Sequence, residues 1–210
     1  MKKTKIIKFK IEQVSLLTRP FIAPLITTIS KDGKVNVAPM SSVSFGSYDP
    51  PRITMAVHPS RRTYKNILET KEFVINITPK DMIDKVFLCG KKFAEKVDKL
   101  DKARLKTFPS EKIKPPRILN CLAWIECKLL EVIEPKSQFD RPILFCKPIS
   151  ASIDKDCLNA DGSLNYKNFD VLLALGVGNF TSISSVIRPI EIKDKAMYWD
   201  EYMDYIGHKK

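Results

Sequence analysis

Ser60-Arg61-Arg62-Thr63 has the plainest chemical reading of any segment in this sequence, opening a short helix after a strand-like stretch, with Asn66 one turn further on. A helix N-terminus presents unpaired N–H groups and a partial positive charge, which together attract phosphate. The hydroxyls of Ser60 and Thr63 and the guanidiniums of Arg61 and Arg62 would add charge-assisted hydrogen bonds to its oxygens. A serine before a helix also serves as an ordinary N-cap, so the two adjacent arginines are what tilt the segment towards an anion. A second segment, Asn36-Val37-Ala38-Pro39-Met40-Ser41-Ser42-Val43, is an extended run of small and polar residues. Small side chains let a planar ligand approach the main chain, whose N–H and C=O groups can satisfy its polar edge. The alternative for this run is a bulged barrel strand with Pro39 on a sheet edge. A third feature, Asp49-Pro50-Pro51, stiffens the turn into the strand that ends near His58.

These segments need elements to hold them. Residues 21–30 are apolar and β-branched and run into Lys31-Asp32-Gly33, a hairpin signal. Extended patterns resume over 34–47, with Pro39 at an edge or bulge, and over 52–58, where Ile53, Met55 and Val57 alternate with smaller or polar neighbours. Residues 63–70 read as a short helix and 72–78 as a strand. Residues 79–108 have helical composition, closed by Pro115-Pro116. Residues 118–134 read as one long bent strand, 142–153 as another strand, 166–175 as a short helix, and 187–193 as a strand that could close the sheet. Many short strands with few helices predict a mainly β chain, a β-barrel with short helical insertions.

The chain has 210 residues and a formal net charge of +12, from 36 Lys+Arg against 24 Asp+Glu. That length predicts one domain over 1–210. The surplus invites a nucleic-acid reading, yet it is concentrated. Residues 1–10 carry five lysines and no acid, and residues 91–117 carry ten basic and four acidic residues. Neither segment interleaves aromatics for base stacking, so both read as a solvated basic arm and an exposed helical excursion, and nucleic acid is not expected. No apolar run approaches the roughly 18 residues of a membrane span, and the lysine-rich start lacks a signal-peptide core. The five cysteines form no CxxC pair, and the chain holds only two histidines. Zinc fingers and multi-histidine metal sites are therefore excluded, and a reducing, cytoplasmic setting is expected. Cys121 and Cys127, at even separation, are predicted to face one side of a strand as small buried hydrophobes. Cys89-Gly90 reads as a packing thiol with a helix C-cap, Leu175-Gly176-Val177-Gly178-Asn179 as a loop, and Trp124 as a core residue. The aromatic tail 198–205 is predicted to pack across a dimer interface through Trp199.

Taken in order, Pro24 to Thr28 (PLITT), Asp32-Gly33, Asn36 to Ser42 (NVAPMSS), Asp49-Pro50-Pro51, Arg62 to Asn66 (RTYKN), and Glu69 to Val74 with Asn76 resemble the flavin reductase-like family of FMN-binding split barrels, which includes flavoredoxins. Weaker similarity continues through Val97-Asp98-Lys99 and Ile118 to Cys127. The resemblance implies a Greek-key split barrel, a homodimer, and FMN near the subunit interface. It implies that Asn36, Ala38, Pro39, Met40, Ser41, Ser42 and Val43 run along the isoalloxazine ring, with main-chain groups of Met40, Ser41 and Ser42 at its polar edge. It further implies that Ser60, Arg61, Arg62 and Thr63 hold the 5′-phosphate, that Asn66 supports that loop, and that His58 is a structural or phosphate-facing residue beside it. No catalytic side chain is expected, because the cofactor carries the redox chemistry. Many reductases of the family carry a Gly-Asp-His triplet that is linked to nicotinamide use. The comparable stretch here, 136–142, has neither glycine nor histidine, and only Asp140 matches. The partner is thus expected to be either NAD(P)H or an acidic redox protein. Arg141 reads as part of an Asp-Arg-Pro turn or as a contact to the phosphate of a second ligand.

Overall fold

The computed structural model describes Lys8, residues 10–91, Phe93, and residues 97–137, 141–176 and 178–183. The basic arm before Lys8, the stretch around Asp140, the strand expected at 187–193 and the aromatic tail lie outside these residues.

In chain order the elements are β1 (Phe21–Ile22), β2 (Leu25–Ile29), β3 (Val35–Pro39), β4 (Val43–Ser47), β5 (Arg52–Ala56), α1 (Arg62–Thr70), β6 (Glu72–Ile77), α2 (Ile83–Gly90) and α3 (Lys99–Lys102). There follow β7 (Thr107–Phe108), β8 (Arg117–Ile118), β9 (Ala123–Ile133), β10 (Ile143–Ile153), β11 (Leu173–Gly176) and β12 (Asn179–Thr181). Seven strands form one antiparallel sheet in the order β3-β2-β6-β9-β10-β5-β4, and β1-β11-β12 form a second sheet. Both edges of the large sheet, β3 and β4, are consecutive in the chain and are joined by residues 40–42 alone. Four peptide steps reach about 14 Å at most, whereas the edges of a flat seven-stranded sheet would stand about 29 Å apart. The sheet must therefore curl until its edges meet, which makes the split barrel expected from the sequence. Pro39 ends the edge strand β3, where a missing N–H costs the ladder nothing.

Strand alternation sorts the core into two clusters. Ile26, Phe73, Ile75, Met55 and Leu144 fill the barrel. Leu25 and Val37 point the other way, onto Met82, Val86 and Cys89 of the α2 region and Leu105 of the excursion. Strands β2 and β6 are thus buried on both faces, which is why they read as nearly continuous apolar runs.

Several expectations change. Residues 166–175 are not a helix: Tyr166, Lys167 and Asn168 form a turn, Val171 bridges to Pro79, and β11 pairs with β1 and β12. The long strand expected over 118–134 is broken by a turn in which Asn120 takes φ 65°, leaving β8 and β9 as separate strands. Cys127 lies in the barrel cluster whereas Cys121, which precedes β9, lies in the outer one, so the two do not share a face. Gly90 is the last residue of α2 rather than its left-handed cap, and its bare Cα allows close approach, since an added Cβ would stand 3.4 Å from Pro39 Cγ. Of the stretch 175–179 read as a loop, Leu175 and Gly176 end β11 and Asn179 opens β12, Gly176 pairing with Asn179, and Gly176 and Gly178 take φ 126° and 77°. Trp124 is half-buried, donating from Nε1 to the Ile118 carbonyl at 2.7 Å.

The basic stretch 91–117 is not merely a solvated excursion in its described part. Ala103 and Leu105 are buried in the outer cluster. The Glu126 carboxylate, 1% exposed, accepts from the amides of Glu111 and Lys112, both at 2.8 Å. Glu72 accepts from the Lys114 amide, and the Thr27 hydroxyl donates to Pro116 O at 2.6 Å. Side chains of the barrel strands thus satisfy main-chain groups of residues 111–116, in the irregular connection between β7 and β8.

Candidate functional site

The barrel seam is also where the candidate site lies. A cleft of about 610 Å³ opens between the β3–β4 connection, the segment from Ala56 to the first turn of α1, and the end of α2. Of the residues singled out from the sequence, Asn36, Ala38, Pro39, Met40, Ser41, Ser42, His58, Ser60, Arg61, Arg62 and Thr63 line it. Val43 and Asn66 do not.

Asn66 acts from below. Its Nδ2 donates to the Thr28 hydroxyl at 3.0 Å, and Asn36 Nδ2 reaches the same oxygen at 3.4 Å and Thr63 Oγ1 at 3.1 Å. All four side chains are buried. A buried polar network of this kind, with its members satisfied, ties two strands to the start of α1 and fixes where that helix begins. Thr63 therefore serves mainly as a structural acceptor.

The start of α1 has no side-chain cap. Arg61 occupies the N-cap position with extended backbone, and its side chain makes no capping hydrogen bond. Ser60, expected to cap or to meet phosphate directly, instead places its Oγ 2.8 Å from Nδ1 of His58, whose ring nitrogen also lies 3.2 Å from the Ser60 amide. His58 is thus the residue that holds the turn before the helix. On the other wall the Met40 amide is committed to Pro24 O at 3.1 Å, and the Ser42 hydroxyl donates to Ala56 O at 2.7 Å. The Met40 N–H is therefore not available to a ligand. Among the described residues, the amides of Ser41 and Ser42 find no acceptor in the turns and loops.

Six cations line the cleft, namely Arg61, Arg62, Lys65, Lys91, Lys99 and Arg141, with no aspartate or glutamate among the described lining residues. Lys99 comes from the excursion that reads as solvated in sequence. It is half-buried and donates to the Cys89 carbonyl at 3.0 Å, at the C-terminal end of α2 where a cation is favoured. Burial pushes its ammonium below the ordinary lysine range; Cys89 acts in the opposite sense, and the neighbouring Arg62 and Arg61 push it lower still. The only sequence signal for Lys99 is the short Val97-Asp98-Lys99 match, in which Asp98 caps α3 through the Leu100 and Asp101 amides. Cys89 and Gly90 also line the cleft, and burial raises the Cys89 thiol to about 11, which keeps it protonated and unreactive.

The donor set fits a phosphate-bearing planar group. It offers clustered cations and an open helix terminus at one end, and small residues with uncommitted amides along the seam. Among the described residues no cluster of His, Cys, Asp and Glu could hold a metal ion, and no helix is long and apolar enough to cross a membrane.

Comparison with known proteins identifies the family and the fold. Residues 20–168 match the family described as flavin reductase like domain. A relative from Methanothermobacter thermautotrophicus, an uncharacterised protein, is 35% identical over 156 residues, 73% of this chain and 74% of its own. The solved flavoredoxin from Methanosarcina acetivorans superposes with a TM-score of 0.77 at 24% identity, covering 91% of this chain and 98% of that one. An FMN-binding protein from Thermus thermophilus, solved with 1-cyclohex-2-enone, gives 0.71 at 19% identity over 90% of this chain and 100% of its own.

Proposed function

The chain belongs to the flavin reductase-like domain family, and from that premise we propose that it binds FMN in the seam cleft and acts as an oxidoreductase that passes electrons through it. The observation that carries this reading is the convergence of Arg61, Arg62 and Lys99 on the uncapped start of α1, with no carboxylate among the described lining residues. In it, Arg61, Arg62, Lys99 and the α1 terminus hold the 5′-phosphate, and Ser41 and Ser42 offer main-chain donors to the ring. Bound flavin supplies reversible hydride and single-electron chemistry. The protein's own contribution is position, exclusion of water by Pro39, Met40 and Phe93, and a positive field that favours an anionic reduced cofactor. FMN rather than a dinucleotide is supported by the FMN-binding Thermus neighbour. The proposal includes a homodimer in a cytoplasmic setting, with NAD(P)H or an acidic redox protein as electron partner.

Purified protein is expected to be yellow, and chromatography of the flavin released on denaturation is expected to give FMN. A colourless protein whose unfolding temperature does not respond to added FMN overturns the reading, since a ligand bound by the native state alone must stabilise it. Anaerobic mixing with NADH or NADPH then separates a reductase, which bleaches, from a carrier, which does not.

A further inference from the structure

A second cleft, of about 420 Å³, adjoins the first and shares Pro39, Ser41, Gly90 and Lys91 with it. Its character is different. Apolar and aromatic side chains are prominent in its walls, with half-exposed Phe87 and partly buried Phe180 among them. Into it comes Arg19, whose guanidinium carbon stands 5.3 Å from the Phe21 ring centroid. The Arg19 Nε is buried without a hydrogen-bond partner, and among the described residues no carboxylate pairs with this side chain. The chain is shaped to admit it: a Cβ on Gly176, at φ 126°, would stand 2.9 Å from Leu16 Cδ2 and 3.5 Å from Arg19 Nε. Lys91 adds a second cation, its amino group 5.6 Å from the Phe87 ring centroid. Neither aspartate nor glutamate lines the cleft among the described residues.

A guanidinium partly removed from water and left without an anion is an expensive arrangement, and a bound carboxylate restores the missing charge and acceptor. The aromatic walls select the rest of such a ligand. We infer that this cleft binds a planar aromatic monocarboxylate, its acid group towards Arg19 and its ring against the aromatic lining of Phe87 and Phe180, abutting whatever occupies the first cleft. The assignment of that neighbour as flavin rests on the proposed function, and the binding of the acid does not.

The test titrates the full chain with benzoate, and with benzamide as a neutral isostere, by calorimetry with and without FMN. Benzoate is expected to bind saturably, more tightly than benzamide, and to shift the visible band of FMN-loaded protein without displacing FMN. Arg19→Gln is expected to weaken benzoate by about tenfold or more while leaving benzamide and FMN content unchanged. Phe87→Ala, at an exposed position, is expected to weaken both probes. Absence of benzoate binding, equal binding of the two probes, competition between benzoate and FMN, or an unchanged Arg19→Gln variant overturns the inference. Should Arg19→Gln not fold, Phe87→Ala decides, and unchanged benzoate affinity there overturns it. Arg19-dependent benzoate binding in a protein that takes up no FMN upholds this site and removes the flavin reading alone.

Discussion

The side-chain amide of Asn36 donates to the Thr63 hydroxyl at 3.1 Å, linking an edge strand of the barrel to the first turn of α1 across 27 residues of chain. Thr28, beneath both, accepts from Asn36 and from Asn66. One hydroxyl therefore holds two amides, and the position of the two arginines depends on it. Thr28→Val keeps the shape and removes the acceptor, leaving Asn66 Nδ2 unsatisfied in a dry setting. The expected cost is about 1–3 kcal/mol in denaturant unfolding, together with weaker FMN retention. Full stability would show that the network positions nothing.

Lys99 separates a phosphate contact from general packing. Lys99→Met keeps the stem that fills the space beside Cys89 and deletes the charge. FMN affinity is expected to fall about tenfold, whereas riboflavin, which lacks the phosphate, is expected to bind as before. Fluorescence titration of both flavins reads the difference, and equal losses would remove Lys99 from the phosphate end.

Glu126 predicts a local effect with a precise address. Glu126→Gln replaces one acceptor oxygen with a donor that faces the amides of Glu111 or Lys112, now bonded at 2.8 Å. Hydrogen exchange at those two amides is expected to accelerate by tenfold or more at a cost of about 1–3 kcal/mol, while amides of α1 are unaffected. Unchanged exchange at Glu111 and Lys112 would show that the carboxylate does not hold this segment.

The buried thiols set an alkaline limit. Burial raises Cys89 to about 11 and Cys121 and Cys146 to about 12, against an ordinary value of 9.0. Above pH 9 the unfolded chain releases thiol protons that the folded chain retains, so the unfolded state binds fewer protons and stability falls with rising pH. The decline begins near 9 and, for Cys89, levels off as pH passes about 11. The unfolding temperature is expected to drop steadily over that range, and at pH 8 a thiol reagent is expected to modify the described cysteines only on unfolding. A Cys89→Ser variant with the same slope would assign the decline to other groups.

How much of this was legible beforehand differs by element. Helix α1 and the strands around it follow from local pattern, because β2, β5 and β6 alternate or run apolar over their whole lengths. The 166–175 stretch failed for a physical reason. Leu and Ala favour helix locally, but the Leu172 carbonyl accepts from Ala23 and its amide donates to Thr78, and a run that short carries no period to reveal those distant partners. Most of the cleft was legible because its residues lie in two continuous segments. Lys99, Gly90 and Phe93 were not, since only the packing of the excursion against β3 and α2 brings them there. Arg19 was invisible as a site residue for the same reason: its neighbours Gly176 and Phe180 come from the far end of the described chain.

The excursion between Pro79 and Ile118 is fastened at both ends to the barrel. At its entry Pro79 bridges Val171, and Lys80 bonds Asp170 through main chain and side chain, the ion pair at 2.6 Å. At its exit the Ile118 amide donates to Asn76 Oδ1 at 2.7 Å. The strands thus form a socket into which the excursion plugs. Exchanging that cassette for another with the same end separation would swap Phe87, Lys91 and Lys99, and with them one wall of each cleft, while Arg61 and Arg62 stay in place. The cleft walls are therefore transplantable without redrawing the barrel cluster, because the buried residues that the cassette contributes, Met82, Val86, Cys89 and Leu105 among them, belong to the outer one.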